Sequence, residues 1–321
     1  MIDKREAPAG ASGLFANEPA SAFKSAPSLH PRNRRDFVAG YAFVLPSLVL
    51  ILVFTFVPTL YGFAVSFTRW DMLSARWTFV GLGNYSALLQ SRELWHSLLV
   101  TAYYLVGTIP VTMALGLALA LALNRKFRGR AFFRLAFYSP VVASTVAVAV
   151  VWLWMYDPLS GILNYFLLQL GFPPQKWLTS PATAMPSLIL MDVWKHVGYD
   201  MVIFLAGLQG IPHQLYEAMD VDGGGRWAKF RHVTWPLLAP TTFFILVISI
   251  INRFKVFATI HTMTKGGPVD STEVIVYFLY QQAFQHFKIG YAFAIAYILF
   301  VIIFVLTLAQ WKIGKASVHY Q

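Results

Sequence analysis

Five charged residues lie inside long apolar runs, where an ionised side chain is costly. They are Asp192, Lys195 and Asp200 in one run, and Arg253 and Lys255 in the next. A charge at the centre of a membrane helix costs about 2.5–3.5 kcal/mol on insertion scales, and such residues usually face a bundle interior or a water-filled cavity. Three interpretations stay open: the cations pair with the aspartates between helices, they reach the membrane surface, or they face a transported solute.

The patterns that mark common catalytic and metal sites are missing from the sequence. There is no cysteine, and the 8 histidines show no metal-ligand spacing. The glycines 223–225 precede Arg226 and Trp227, which cannot supply the lysine and hydroxyl of a phosphate-binding loop. We therefore expect no catalytic residue, metal site or cofactor in this chain, and any ATP hydrolysis should occur on another chain.

The composition predicts an all-α integral membrane protein. Hydrophobic residues make up 57% of the chain and charged residues only 12%. Six apolar runs are long enough, or nearly so, to cross about 30 Å of hydrocarbon as helices. These predicted spans are Phe37–Phe67, Ser97–Leu123, Phe133–Met155, Ala184–Gln209, Thr241–Ala258 and Ile289–Gln310.

The positive charges predict the orientation of these spans. With the N-terminus inside, the inner segments carry 16 Lys and Arg residues and the outer segments carry 6. This asymmetry predicts that both termini are cytoplasmic, and it accounts for the net charge of +11 without a nucleic-acid partner. Residues 1–36 are rich in Ala, Ser and Pro and are predicted to be a disordered cytoplasmic tail. Residues 37–315 form the predicted membrane domain, and residues 316–321 a short cytoplasmic tail.

The segment 211–239 is a polar, glycine-punctuated island between two apolar runs. Residues 213–221 lack Gly and Pro and predict a short helix after Pro212. Gly223 permits a reversal with positive φ, and residues 226–233 predict a second short helix. A compact helix-turn-helix at a membrane surface is suited to binding another protein.

Three stretches of this sequence resemble the membrane subunits of binding-protein-dependent ABC importers. Glu-Ala-Met-x-x-Asp-Gly-Gly, beginning at Glu217, resembles the cytoplasmic EAA coupling loop of that family. Trp194-x-x-x-Gly-Tyr before the loop and Met263-Thr-x-Gly-Gly-Pro after it resemble the carbohydrate branch, that of the maltose and glycerol-phosphate importers. Met219 and Gly224 depart from the usual alanines of the loop.

The resemblance implies a six-helix permease with an EAA loop in a bacterial inner membrane. Its implied partners are a second homologous permease, two cytoplasmic ATPase subunits that hold ATP and Mg, an external solute-binding protein and membrane lipid. ATP binding would move the loop and switch the solute pathway by alternating access. The residues implied to contact the ATPase are Glu217, Ala218, Asp220, Asp222, Gly223 and Gly224.

The resemblance also points to a saccharide pathway along the fourth and fifth spans. Its candidate residues are Trp194, Lys195, Tyr199, Asn252, Arg253, Lys255 and Phe257. Two cations in this stretch favour an anionic saccharide, as in importers of the alginate oligosaccharide type. Residues 253 and 255 lie about 200° apart on an ideal helix, so both can face solute only beside a wide cavity or where the helix unwinds.

Two other classes of protein stay open at this point. An ion-coupled secondary transporter would show inverted repeats and interrupted helices, and no convincing internal repeat is present. A membrane assembly subunit without transport activity would need no solute pathway, so its buried cations should be ion-paired.

Overall fold

The computed structural model describes residues 34–71 and 76–317, with side chains described for 41–71 and 76–312. The described residues divide into two compact units, one ending at Pro58 and one beginning at Thr59. Three helical segments are long and apolar enough to cross a membrane, namely Tyr41–Ser66, Arg92–Leu123 and Ile289–Lys312. Counting two bent helix pairs as spans raises the number to five.

The described chain is almost entirely helical. Its α-helices are α1 Arg34–Ile51, α2 Val57–Ser66, α3 Gly83–Gln90, α4 Arg92–Leu123, α5 Arg130–Val142, α6 Thr145–Met155, α7 Ile162–Gln169, α8 Pro181–Gln209, α9 His213–Val221, α10 Arg226–Lys229, α11 Trp235–Leu237, α12 Ala239–Phe254, α13 Ala258–Met263, α14 Ile275–Tyr280 and α15 Ile289–Ser317. Wider π-helical turns at Leu52–Phe56 and Phe230–Thr234 join neighbouring helices, and a third at Gln281–Gln285 extends α14. Trp177–Thr179 is a 3-10 turn.

The helix pair α4–α8 forms the most extensive helix contact of the second unit. Small residues let neighbouring backbones approach α8 closely. A Cβ on Gly198 would lie 1.9 Å from the carbonyl oxygen of Phe137 in α5, so only glycine fits there. Apolar side chains of α4, α8 and α12, including the fully buried Met201 and Ile245, pack into one core cluster beside these contacts.

The predicted third span is not a single helix, which corrects the sequence-based prediction. Its residues form α5 and α6, which meet at a bend of 98°. The backbone becomes extended at Ala143 (ψ 143°), which leaves the last carbonyls of α5 without helical partners. Lys195 of α8 replaces those partners by donating hydrogen bonds to the carbonyl oxygens of Pro140 and Ala143, at 3.0 Å and 2.7 Å.

The predicted fifth span is also interrupted. Helix α12 ends at Phe254, and residues 255–257 connect it to the short helix α13. At 16 residues, α12 is about 24 Å long, which is shorter than the hydrocarbon core of a bilayer. The break falls at the polar residues that interrupt the apolar run in the sequence.

A small β-hairpin adds an element that the all-α prediction does not include. Strand β1 (Thr68–Trp70) pairs antiparallel with β2 (Trp77–Phe79), with Arg69 opposite Thr78. The predicted terminal tails lie largely outside the described residues, since α1 begins at Arg34 and α15 ends at Ser317.

Candidate solute cavity and coupling loop

A cavity of about 420 Å³ lies where α8 faces the broken end of α12. We call it the α8–α12 cavity. Its lining residues are Tyr104, Thr145, Asp192, His196, Tyr199, Asp200, Ile248, Ser249, Asn252, Arg253, Lys255, Val256, Phe257, Ala258 and Thr259. The volume falls within the range of about 300–1,000 Å³ that is usual for small-molecule sites.

Five of the seven residues that the sequence nominated for a solute pathway line this cavity. They are Tyr199, Asn252, Arg253, Lys255 and Phe257. Both cations reach the same cavity because α12 ends between them and the backbone at Lys255 is no longer helical. The separation of about 200° that an ideal helix would impose on the two side chains therefore does not apply.

Trp194 and Lys195 are not brought together with the other five. Lys195 is only 3% exposed, and its ammonium group binds the end of α5, so its place in the structure is that of a helix cap. Trp194 is half-exposed and contacts Trp152 of α6, with ring centroids 5.5 Å apart. Neither residue lines the cavity.

Arg253 forms a buried ion pair within the cavity wall. Its Nε lies 3.0 Å from Oδ2 of Asp192, and its Nη2 donates to the hydroxyl of Thr112 at 3.3 Å. His196 contacts the other oxygen of Asp192, also at 3.0 Å. Arg253 and Asp192 are 6% and 4% exposed, so this pair joins α12 to α8 away from bulk water. The structure therefore places Arg253, which the sequence analysis considered as a solute contact, in a structural pair.

Lys255 has a different environment from Arg253. Its side chain is exposed, lines the cavity and forms no hydrogen bond or ion pair with any described residue. Its backbone N–H donates a hydrogen bond of 3.2 Å to the carbonyl oxygen of Asn252 and so caps the end of α12. A free ammonium group in a walled cavity is available to bind an anionic ligand.

Aromatic rings border the same break. The ring of Phe257 stacks on His261, with centroids 5.1 Å apart, and lies 5.0 Å from the ring of Tyr280. The polar partners Asp192 and His196 line the cavity as well, although neither was among the candidate pathway residues of the sequence analysis. Asp192, His196 and Asp200 are spaced four residues apart, which puts all three on one face of α8. This spacing is the sequence signal that could have identified them as cavity residues.

The segment 211–239 is a folded loop whose first helix ends in a Schellman motif. Gly223 has φ +74°, its N–H donates to the carbonyl of Asp220, and the N–H of Gly224 donates to that of Met219 at 2.7 Å. No atom lies within 4 Å of a Cβ built on Gly223, so a larger residue there would be opposed by backbone strain rather than by a clash. At Gly224 a Cβ would lie 2.9 Å from the carbonyl oxygen of Met219.

Two of the acidic residues predicted to meet the ATPase already have partners inside the loop. Asp220 forms an ion pair with Lys229 of α10 at 2.5 Å, and Glu217 contacts His213 at 2.9 Å. Tyr216 and Thr234 share a further hydrogen bond of 3.0 Å. The contacts of Asp220 and Tyr216 hold α9 against the second half of the loop, whereas the contact of Glu217 with His213 lies within α9. Glu217 and Asp222 stay exposed, and Ala218 lies exposed next to Glu217.

Apolar residues of the loop are exposed beside these charges. Val221 is 88% exposed and Trp227 is 72% exposed. A rigid loop that presents apolar and acidic groups together has the composition of a protein-binding surface.

Comparison with known proteins identifies the family. Residues 113–313 match the family described as the inner membrane component of binding-protein-dependent transport systems. The chain belongs to this family. Its members are the permeases of ABC transporters, so the resemblance inferred from three sequence motifs is confirmed. The chain is thus a multi-pass inner membrane protein, with several of its helices apolar enough to span the bilayer.

Two named permeases show similarity along most of their length. The sn-glycerol-3-phosphate transport system permease UgpA of Agrobacterium fabrum is 36% identical over 88% of this chain and 97% of its own. The trehalose/maltose transport system permease MalF of Thermococcus litoralis is 34% identical over 88% of this chain and 95% of its own.

A solved structure shows the same fold. It is a chain of a bacterial ABC transporter involved in the import of the acidic polysaccharide alginate. Its TM-score is 0.78 at 25% identity, with 88% of this permease and 96% of that chain covered. The predicted helical permease fold is therefore confirmed.

Proposed function

We propose that this permease forms, with a second homologous permease, a pathway that carries an anionic saccharide into the cytoplasm. A disaccharide and an acidic polysaccharide appear in the names of two relatives and support a saccharide cargo, and a third relative is named for an anionic polyol, glycerol phosphate. The observation that supports an anionic solute is the position of Lys255. This cation lies in the wall of a 420 Å³ cavity and has no protein partner among the described residues.

Weak binding is needed in such a cavity, because a tightly paired solute would be trapped. An exposed ammonium group on a flexible stem gives a modest, solvent-screened attraction. The hydroxyl of Ser249 and the amide of Asn252 line the same space and can bind ring hydroxyls. Phe257 offers an apolar surface to the face of a sugar ring.

Transport would be driven from outside this chain. Two cytoplasmic ATPase subunits would bind ATP and Mg, and an external solute-binding protein would deliver the saccharide. The six spans, with both termini and the loop 211–239 in the cytoplasm, would present Glu217, Asp222 and Val221 to the ATPase. Closure of the ATPase dimer would then move the loop and tilt the helices that line the cavity, while lipid contacts the apolar outer faces.

The two other classes are not favoured. An ion-coupled secondary transporter does not account for a folded loop that presents exposed acidic and apolar groups. An assembly subunit without transport activity does not account for the unpaired Lys255, since its cations should all be paired.

The proposed function is tested by uptake into proteoliposomes that contain the complete complex and enclosed ATP. The candidate solutes are an alginate trisaccharide, sn-glycerol-3-phosphate and maltose. ATP-dependent uptake of the alginate trisaccharide supports the proposal, whereas uptake of sn-glycerol-3-phosphate alone would support an anionic solute and contradict the saccharide class. Uptake of maltose alone would contradict the anionic part, and absence of uptake for all three would contradict the saccharide class.

Replacement of Lys255 by glutamine should weaken import of the anionic solute selectively. Loss of one solvent-screened charge interaction should raise its half-saturating concentration about three- to fivefold, because an exposed ion pair contributes up to about 1 kcal/mol. Import of a neutral saccharide of equal length should change less than twofold. The matched control is Lys312→Gln, which removes an exposed lysine far along α15 from the cavity. Equal losses for charged and neutral solutes would show that Lys255 acts structurally.

A further inference from the structure

Asp200 differs from the other aspartate of the α8–α12 cavity in having no partner within the described chain. The residue is 1% exposed, and neither carboxylate oxygen has a hydrogen bond to any described group. Asp192, by contrast, contacts Arg253 and His196. A buried carboxylate without hydrogen-bond donors has lost its hydration, and the nearby charges of Arg253 and His196 only partly offset that loss. A ligand that donates hydrogen bonds would complete the site.

The surrounding packing holds Asp200 in place at the cavity wall. Gly116 of α4 lies directly against it, because a Cβ on Gly116 would be 2.8 Å from the Cβ of Asp200 and 3.1 Å from the backbone nitrogen of Met201. Helices α4 and α8 therefore meet at this point without intervening side-chain atoms. The carboxylate is preorganised by backbone contact rather than by hydrogen bonds to its oxygens.

We infer that Asp200 is a specificity-determining residue that accepts hydrogen bonds from hydroxyl groups of the transported saccharide. The inference rests on the proposed function. An ionised carboxylate is an acceptor with two oxygens, and neighbouring ring hydroxyls of a sugar offer two donors. Such charge-assisted bonds are roughly twice as strong as neutral ones. Asp200 also repels the carboxylate or phosphate of an anionic sugar, which directs that group toward Lys255 instead.

A ligand-binding role and a structural role have opposite effects on stability. Asp200→Asn removes an unpaired buried charge, so the melting temperature of the purified complex should stay equal or rise. Asp192→Asn is the matched control, on the same helix and in the same cavity. It weakens the pair with Arg253 and should lower the melting temperature. A lower melting temperature for Asp200→Asn would overturn the inference, since the carboxylate would then have a structural partner.

The binding role is tested by a cycle that changes the residue and the solute together. The probe is whichever of maltose or an alginate trisaccharide the wild-type complex imports, with its singly deoxygenated analogues. In the wild type, one analogue should show a half-saturating concentration about tenfold or more above that of the parent saccharide. In Asp200→Asn the parent should already show this increase, and the same analogue should show no further loss.

The remaining outcomes separate this inference from the proposed function. If the wild-type complex imports neither probe, the proposed function fails before Asp200 is tested, and the stability comparison alone decides the inference. If uptake is normal and every deoxygenated analogue loses affinity equally in both proteins, only the inference fails. A requirement for Na⁺ that disappears in Asp200→Asn would also overturn it, because the carboxylate would then bind a cation.

Discussion

Replacing Arg253 by methionine is expected to destabilise the permease strongly. The change removes the cation at 3.0 Å from one Asp192 oxygen and leaves the buried carboxylate with His196 and Tyr104 beside it. Removing one member of a buried ion pair costs about 3–5 kcal/mol, mostly because the remaining charge is unpaired. Thermal unfolding of the purified complex should show a markedly lower melting temperature, and the yield of folded protein should fall.

Two further variants identify the cause of that loss. The double variant Arg253→Met with Asp192→Asn should recover most of the stability, since it removes both charges. Lys255→Met, two residues away, should change stability by less than about 0.5 kcal/mol, because its ammonium group has no partner among the described residues. Similar losses for Arg253→Met and Lys255→Met would contradict the assignment of the pair.

Replacing Glu217 by lysine is expected to abolish transport without unfolding the protein. Glu217 is exposed, and α9 is held by the Schellman motif at Gly223 and the Asp220–Lys229 pair, neither of which involves Glu217. The reversed charge would face basic residues on the ATPase. ATP-driven uptake should fall more than about tenfold, as expected for like charges at a close contact. ATP hydrolysis stimulated by the loaded binding protein should fall with it.

The contact between Glu217 and His213 offers an internal control. His213→Ala removes the partner inside the loop and keeps the acidic charge. Because an exposed pair contributes little to stability, uptake should stay within about threefold of normal. If His213→Ala reproduces the defect of Glu217→Lys, the charge acts on the shape of the loop and not on a partner. Normal uptake by Glu217→Lys would show that the loop is not the ATPase contact.

The parts of the fold that follow from local signals could be predicted from the sequence. Helix α9 matches the predicted segment 213–221, since Pro212 begins it and Gly223 ends it with the predicted positive φ. The bend between α5 and α6 could not be predicted. It depends on Lys195, which lies more than fifty residues away in the sequence and satisfies the freed carbonyls. Hydropathy alone predicts one continuous span for these residues.

In the candidate site, too, local sequence signals could be predicted and contacts between distant residues could not. Charged residues in apolar runs marked the cavity, because their cost demands a partner or a solute. The sequence could not assign those partners, since Arg253 and Asp192 are sixty-one residues apart and only the packing of α8 on α12 joins them. Lys195 was grouped with the pathway for its charge alone. Its role depends on the end of α5, which no local pattern reveals.

A cysteine at Val221 tests most directly whether the loop 211–239 binds the ATPase. The chain has no cysteine, and Val221 is 88% exposed, whereas a side chain at Gly224 would press on Met219. In inverted membrane vesicles, Val221→Cys should form a cross-link to the ATPase subunit through a short thiol-to-amine reagent. The same cysteine in intact cells should stay unlabelled by an impermeant external thiol reagent. Labelling from outside, or the absence of any cross-link to the ATPase, would contradict the account.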